Sequence, residues 1–216
     1  MHRLLHVILK ALRMMERGSD DGEQGLLVLR DLSADTTTSD ILISAGAIEA
    51  IFIMTRSETT AVKQFACETV CNLTMGSNSM KNALVSLGIV EIITSETSIE
   101  NKVLLYALSL LTECSDIATM RQIISGGSVV HFLRFIRSGV GEEEGLAMCG
   151  LKNIIMFGDG DGVEEFRHDV VMAGSVAALV ERSQSNRFHQ KHFALHILAE
   201  LAYTCRKGNL LKIFED

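Results

Sequence analysis

The sequence has no proline and no tryptophan, and only 5% of its 216 residues are aromatic. Without proline, no connection is stiffened by a fixed φ, which favours helices joined by short glycine-based turns. With few rings, the core must be packed by Leu, Ile, Val, Ala and Met, the material of helix-on-helix packing. No apolar run reaches the ~20 residues of a membrane span. The opening segment MHRLLHVILKALRMMERG has no small-residue cleavage site, so it does not read as a secretory signal. Its basic amphipathic character fits a presequence or a calmodulin-binding helix; a core helix is the reading preferred. Excess positive charge is missing as well. The net charge of −7 argues against nucleic acid as the main partner, since phosphate binding needs concentrated Lys and Arg.

Catalytic signatures are equally scarce. The chain has no phosphate-binding glycine loop, no nucleophile elbow and no ordered Ser/His/Asp set, so a non-catalytic protein without cofactor is expected. The five cysteines, Cys67, Cys71, Cys114, Cys149 and Cys205, are odd in number and sit in apolar helical patterns. That fits reduced thiols in a cytosolic-type compartment. Cys67 and Cys71, four apart, could form a metal or redox pair, but core thiols are preferred. No segment alternates apolar and polar residues for long, so strands are not expected.

What the chain has is a period. Gly46, Gly88, Gly127 and Gly174 follow one another at 42, 39 and 47 residues. Each follows a short apolar helical segment and precedes another, as in SAGAIEAIFIM (44–54). A polar break and a longer amphipathic helix follow: AVKQFACETVCNLTM (61–75), KVLLYALSLLTEC (102–114), EGLAMCGLKNIIMF (144–157) and FHQKHFALHILAELAY (188–203). A chain that turns sharply between two helices needs a residue tolerant of φ > 0, which is glycine's role. Self-similarity at this spacing is the mark of a stacked repeat array. The approximate units are 1–36, 37–76, 77–115, 116–162, 163–206 and a partial 207–216. The long third interval holds FGDGDG (157–162), which reads as an inserted loop. Residues 1–17 read as a second helix lacking a first, and 207–216 as a first helix lacking a second, as expected of a piece of a longer protein or of an array with degenerate end repeats.

This three-helix unit resembles the armadillo repeat. The matching pieces are Gly46-Ala47-Ile48, Gly88-Ile89-Val90, Gly127-Ser128-Val129 and Gly174-Ser175-Val176. In the third helices they are Val28 to Leu32, Val70 to Leu73, Ala107 to Leu111, Leu151 to Ile154 and Leu198 to Leu201. The resemblance implies an all-α, right-handed α-solenoid whose third helices line a concave groove. The proline common in the family's second helix is missing, as is the tryptophan of nuclear-import adaptors. That argues against binding of nuclear-localisation signals.

The resemblance also implies the binding positions. The family's groove asparagine corresponds to Asp31, Asn72, Leu110, Asn153 and Glu200. One turn earlier on the same face come Leu27, Glu68, Tyr106, Cys149 and His196, and a further turn back Glu23, Gln64, Lys102, Gly145 and His192. An asparagine amide both donates and accepts, so it can pair with the backbone of an extended peptide whatever its side chains. Asp31, Glu68 and Glu200 make the ends acidic, which favours Lys- or Arg-bearing segments, with Tyr106 and Leu110 as an apolar patch between.

Two further features carry chemistry. His189, His192, His196 and Glu200 fall within about 80° around one helix. Two of them could hold zinc, but there is no His-Glu-x-x-His motif, and a polar groove stripe is preferred. Such a stripe would make partner affinity pH-dependent. Gly158 to Gly162 with Glu164 and Glu165 hints at a calcium loop but lacks the full ligand pattern, so an inserted loop is preferred. The expected role is a scaffold or adaptor for a protein segment, cytoplasmic, with nuclear or cytoskeletal association open. The alternative is the partner- or substrate-binding region of a larger ubiquitin ligase, kinase-regulatory or transport-adaptor protein. Self-association through exposed array ends is also expected to be feasible.

Overall fold

The computed structural model describes residues 2–16, 19–95, 101–114, 116–138, 141–157 and 163–207. Among them every regular element is helical and no strand occurs. The contacts cluster into two units, Met1–Cys114 and Ser115–Asp216.

The first unit runs α1 (His2–Glu16), α2 (Ser19–Ser33), a 3-10 turn (Thr36–Thr38), α3 (Ser39–Ser44), α4 (Ala47–Met54), α5 (Thr60–Thr74), α6 (Asn78–Ser86), α7 (Ile89–Ser95) and α8 (Asn101–Leu111). The second runs α9 (Ile117–Ser125), α10 (Ser128–Ser138), α11 (Gly141–Ile155), α12 (Val163–Met172), α13 (Ser175–Ser183) and α14 (Phe188–Lys207). Helices of the same rank stack on one another. In the first unit α1 packs on α4, α3 on α6, and α2, α5 and α8 lie in succession. In the second, α9 packs on α12, α10 on α13 and α11 on α14. These helices therefore find a neighbour about one period along the chain, the construction of a solenoid.

The turns have the expected cause. Gly46 sits at φ 73°, ψ 22°. Its N–H donates to the Ile43 carbonyl at 3.1 Å, closing α3, and α4 starts at the next residue. Gly88, Gly127 and Gly174 repeat this at φ 85°, 89° and 85°. An L-residue in that left-handed region costs roughly 1–2 kcal/mol. The same period returns in capping side chains. Asp35 Oδ1 accepts from Thr37 N at 2.9 Å before α3, Ser77 Oγ from Met80 N at 3.3 Å before α6, and Asp116 Oδ2 from Thr119 N at 2.7 Å before α9. Each satisfies a helix N–H that has no intrahelical partner. The Asp35 carboxyl is held below its ordinary range by the Thr37 N–H and then its hydroxyl, and that of Asp116 by the Thr119 hydroxyl, 2.7 Å away, and then the Thr119 N–H.

The core is aliphatic. Leu26 and Leu29 of α2, Ala66, Val70 and Leu73 of α5, and Leu105, Leu108 and Leu111 of α8 are buried. In the second unit Phe132 and Phe166 are the largest fully buried side chains, joined by Leu151, Ile154, Ala194 and Ile197. Helices α10 and α11 approach closely at Gly150, where an added Cβ would lie 2.2 Å from Phe132 Cζ. Residue Lys207 ends α14 rather than opening a new helix. The expected final helix otherwise falls on 208–216, and the Gly-Asp loop on 158–162, outside the described residues.

Candidate functional site

With α2, α5 and α8 side by side and their Leu, Val and Ala positions turned inward, the intervening residues form a common face. Asp31, Gln64, Lys102 and Tyr106 are exposed on it, and Glu68, Asn72 and Leu110 are half-buried. Two of these, Asp31 and Glu68, are bridged by the side chain of a residue the sequence reading passed over, Arg30. Its Nη2 lies 2.9 Å from Asp31 Oδ1 and its Nη1 3.5 Å from Glu68 Oε2. The guanidinium also sits 5.2 Å above the Phe65 ring, a cation–π geometry. Gln64 Nε2 donates to Glu68 Oε1 at 3.2 Å. The acidity expected from Asp31 and Glu68 is thus partly offset by a cation held between them.

Asn72 is also already engaged. Its Nδ2 donates to the Arg30 carbonyl at 3.4 Å and to Ser33 Oγ at 3.2 Å. Arg30 lies in the last turn of α2, where carbonyls have no intrahelical partner. The asparagine therefore clamps one repeat to the next, a structural use of the amide alongside any outward one. Next to it, burial first and the Glu68 charge second push the Cys71 thiol up to about 11. At neutral pH that thiol is protonated and a poor nucleophile.

In the second unit, α11 and α14 flank a cleft of about 540 Å³, within the range of small-ligand and side-chain pockets. Gly141, Gly145, Met148 and Lys152 line it from α11, and Phe188, His189, Gln190, His192, Phe193 and His196 from α14. The cleft is open where a side chain would otherwise stand, since a Cβ on Gly145 meets nothing within 4 Å. At the rim Phe188 is 75% exposed. Its ring stacks on His192 at 6.0 Å and 7° and meets His189 edge-on at 5.8 Å. Lys152 Nζ stands 5.8 Å over the Phe193 ring. The Gln190 Oε1 atom is buried with no hydrogen-bond partner.

Of the expected positions, Gly145, His192 and His196 line this cleft. Cys149 is exposed, and Asn153 and Glu200 half-buried, on the same two helices but outside the lining. The reason is geometric. A valley between parallel helices is walled by opposite flanks of the two, so on α11 the lining stripe continues from Gly145 to Met148 and Lys152 rather than to Cys149 and Asn153. Among the described residues no group of three or more His, Cys, Asp or Glu side chains is placed to hold a metal ion. No single described helix is long and apolar enough to cross a membrane.

No protein-family model and no curated protein matches the sequence. Solved structures do. A designed armadillo repeat protein in complex with the peptide (KR)4 is similar over 90% of this chain and 81% of its own, with TM-score 0.78 and 15% identity. A computationally designed armadillo repeat protein for modular peptide recognition is similar over 89% and 81%, with TM-score 0.78 and 16% identity. This is an armadillo-type fold. In armadillo terms α2, α5, α8, α11 and α14 are the third helices, and both the Arg30 cluster and the cleft lie on them. An engineered protein, similar over 90% of this chain and 47% of its own with TM-score 0.77 and 20% identity, shares the fold. Phe188, Phe193 and Lys152 were also missed by the sequence reading. The one available signal was a phenylalanine opening a third helix straight after a polar break.

Proposed function

We propose that this armadillo-type chain is a non-catalytic scaffold that binds a protein segment along its third helices. The observation that carries the reading is the open cleft between α11 and α14, lined by exposed Phe188, by His192 and His196, and by Lys152. A cleft with a few convergent polar groups and an exposed ring is suited to a partner's side chain. The similar designed proteins are described as peptide binders, which supports a segment of chain as the occupant.

The test is Gly145→Trp. Its side chain projects into open space and fills the cleft without disturbing the core. Peptides selected by the wild-type protein from a random phage-displayed library should lose binding to this variant, with the helical circular dichroism unchanged. Undiminished binding of every selected peptide to a folded Gly145→Trp protein would move the surface elsewhere.

A further inference from the structure

We infer that the α11/α14 cleft selects a segment carrying an aromatic or large aliphatic anchor next to a carboxylate, and disfavours Lys- and Arg-rich segments. This deepens the scaffold reading and rests on it. The charge of the lining argues for it. Lys152 supplies a full positive charge, His189, His192 and His196 present imidazoles, and no carboxylate lines the cleft. Among nearby acids, Glu144 is turned into the protein and only 1% exposed, while Glu143 stands at the Gly141 end of the cleft, its Oε2 3.3 Å from where a Cβ on Gly141 would lie, away from Lys152 at the other end of the α11 stripe.

The apolar part argues for the anchor. Phe188 remains largely exposed although it opens a helix that buries Ala194 and Ile197. It is held parallel to His192 by stacking, which fixes the ring's orientation at the rim. Met148 is fully buried beneath, and the missing side chain at Gly145 leaves room above it. An incoming ring or isobutyl group would cover Phe188. A flanking Asp or Glu would then meet Lys152, whose ammonium over Phe193 is held at the cleft by a cation–π contact. A Lys or Arg in that place would face a like charge, which costs affinity and excludes wrong partners. This differs from the expectation of basic partners drawn from Asp31, Glu68 and Glu200, two of which share the single charge of Arg30.

The experiment is the same library selection, read by sequence and followed by titration of the enriched peptides. We expect enriched peptides to carry Phe, Tyr, Trp, Leu or Ile within a residue or two of Asp or Glu. Lys152→Glu should weaken them about tenfold and Phe188→Ala at least as much. Both positions are on the surface rim, so both variants should fold. Enrichment of Lys- or Arg-rich peptides overturns the inference, as does binding changed less than about twofold by Lys152→Glu. Those results leave the scaffold reading standing if Gly145→Trp still abolishes binding. No enrichment at all, or no effect of Gly145→Trp, defeats the scaffold reading itself and this inference with it.

Discussion

Replacing Gly150 by alanine tests the helix packing that holds the cleft. An ideal Cβ there lies 2.2, 2.6 and 2.7 Å from the Cζ, Cε1 and Cε2 atoms of Phe132. Comfortable carbon contacts begin at about 3.5 Å. Helices α10 and α11 must therefore separate by on the order of 1 Å, because Phe132 is fully buried and has nowhere to swing. Overpacking of this kind costs about 1–3 kcal/mol, and an overlap this deep belongs at the upper end. Alanine also returns about 1 kcal/mol in a helix interior, so the net loss is about 2 kcal/mol. Gly145→Ala is the internal control. It lies on the same helix in open space and gains the same propensity, so it should stabilise by about 1 kcal/mol. The difference between the two variants isolates the clash at about 3 kcal/mol. Urea midpoints of both, and of Gly150→Ala with Phe132→Leu, give the answer. The double variant should recover part of the loss. Equal midpoints for the two alanine variants, or purely additive effects at 132 and 150, would refute the packing argument.

Other outcomes follow from the same contacts. Asn72→Ala should lower stability by about 1 kcal/mol, measured by urea titration, through loss of the bonds to Arg30 O and Ser33 Oγ. Burial raises the Glu144 carboxyl above its ordinary range, against the opposing pull of Arg182 and Arg187. Its unfolded form ionises first, so this group costs nothing below about pH 4.5 and destabilises increasingly as pH rises through the folded value. Glu144→Gln should gain stability over the wild type as pH rises from 4.5 to 7, and a constant difference would contradict that. His131 is shifted the other way, down, by burial first and Arg134 second. Its contribution is present above about pH 6.5 and is lost as pH falls below it. His131→Phe should therefore flatten the thermal melting temperature between pH 6.5 and 5. Iodoacetamide at pH 7.5 should modify exposed Cys149 well before Cys71, whose thiol is pushed to about 11, as read by peptide mass spectrometry.

The fold was legible because its two signals are local. A glycine that must adopt positive φ cannot be replaced cheaply, so Gly46, Gly88, Gly127 and Gly174 mark in the sequence the same helix-to-helix turn in each repeat. Helix type follows from apolar spacing in the same way. The surface was only partly legible. Positions such as His192, His196 and Asn72 follow from the third-helix register alone. What Asn72 bonds to depends on where the end of α2 lies, 42 residues earlier. Arg30 is one residue away from the expected register, yet it reaches across to Glu68 on the next repeat. The α11 wall of the cleft departs from the expected stripe after Gly145 for a similar reason: valleys are made by pairs of helices, and their walls are set by inter-helix geometry that no single repeat encodes. The exposure of Phe188 is likewise a property of the stack.

Hydroxyl-radical footprinting of the protein with and without a library-selected peptide tests most directly whether partners sit on the third helices. Phe188 of α14 is 75% exposed and Met172 of α12, a first helix, is 66% exposed, so both report oxidation in the free protein. Bound peptide should protect Phe188 and leave Met172 oxidised as before. Protection of Met172 with Phe188 unchanged would contradict the account.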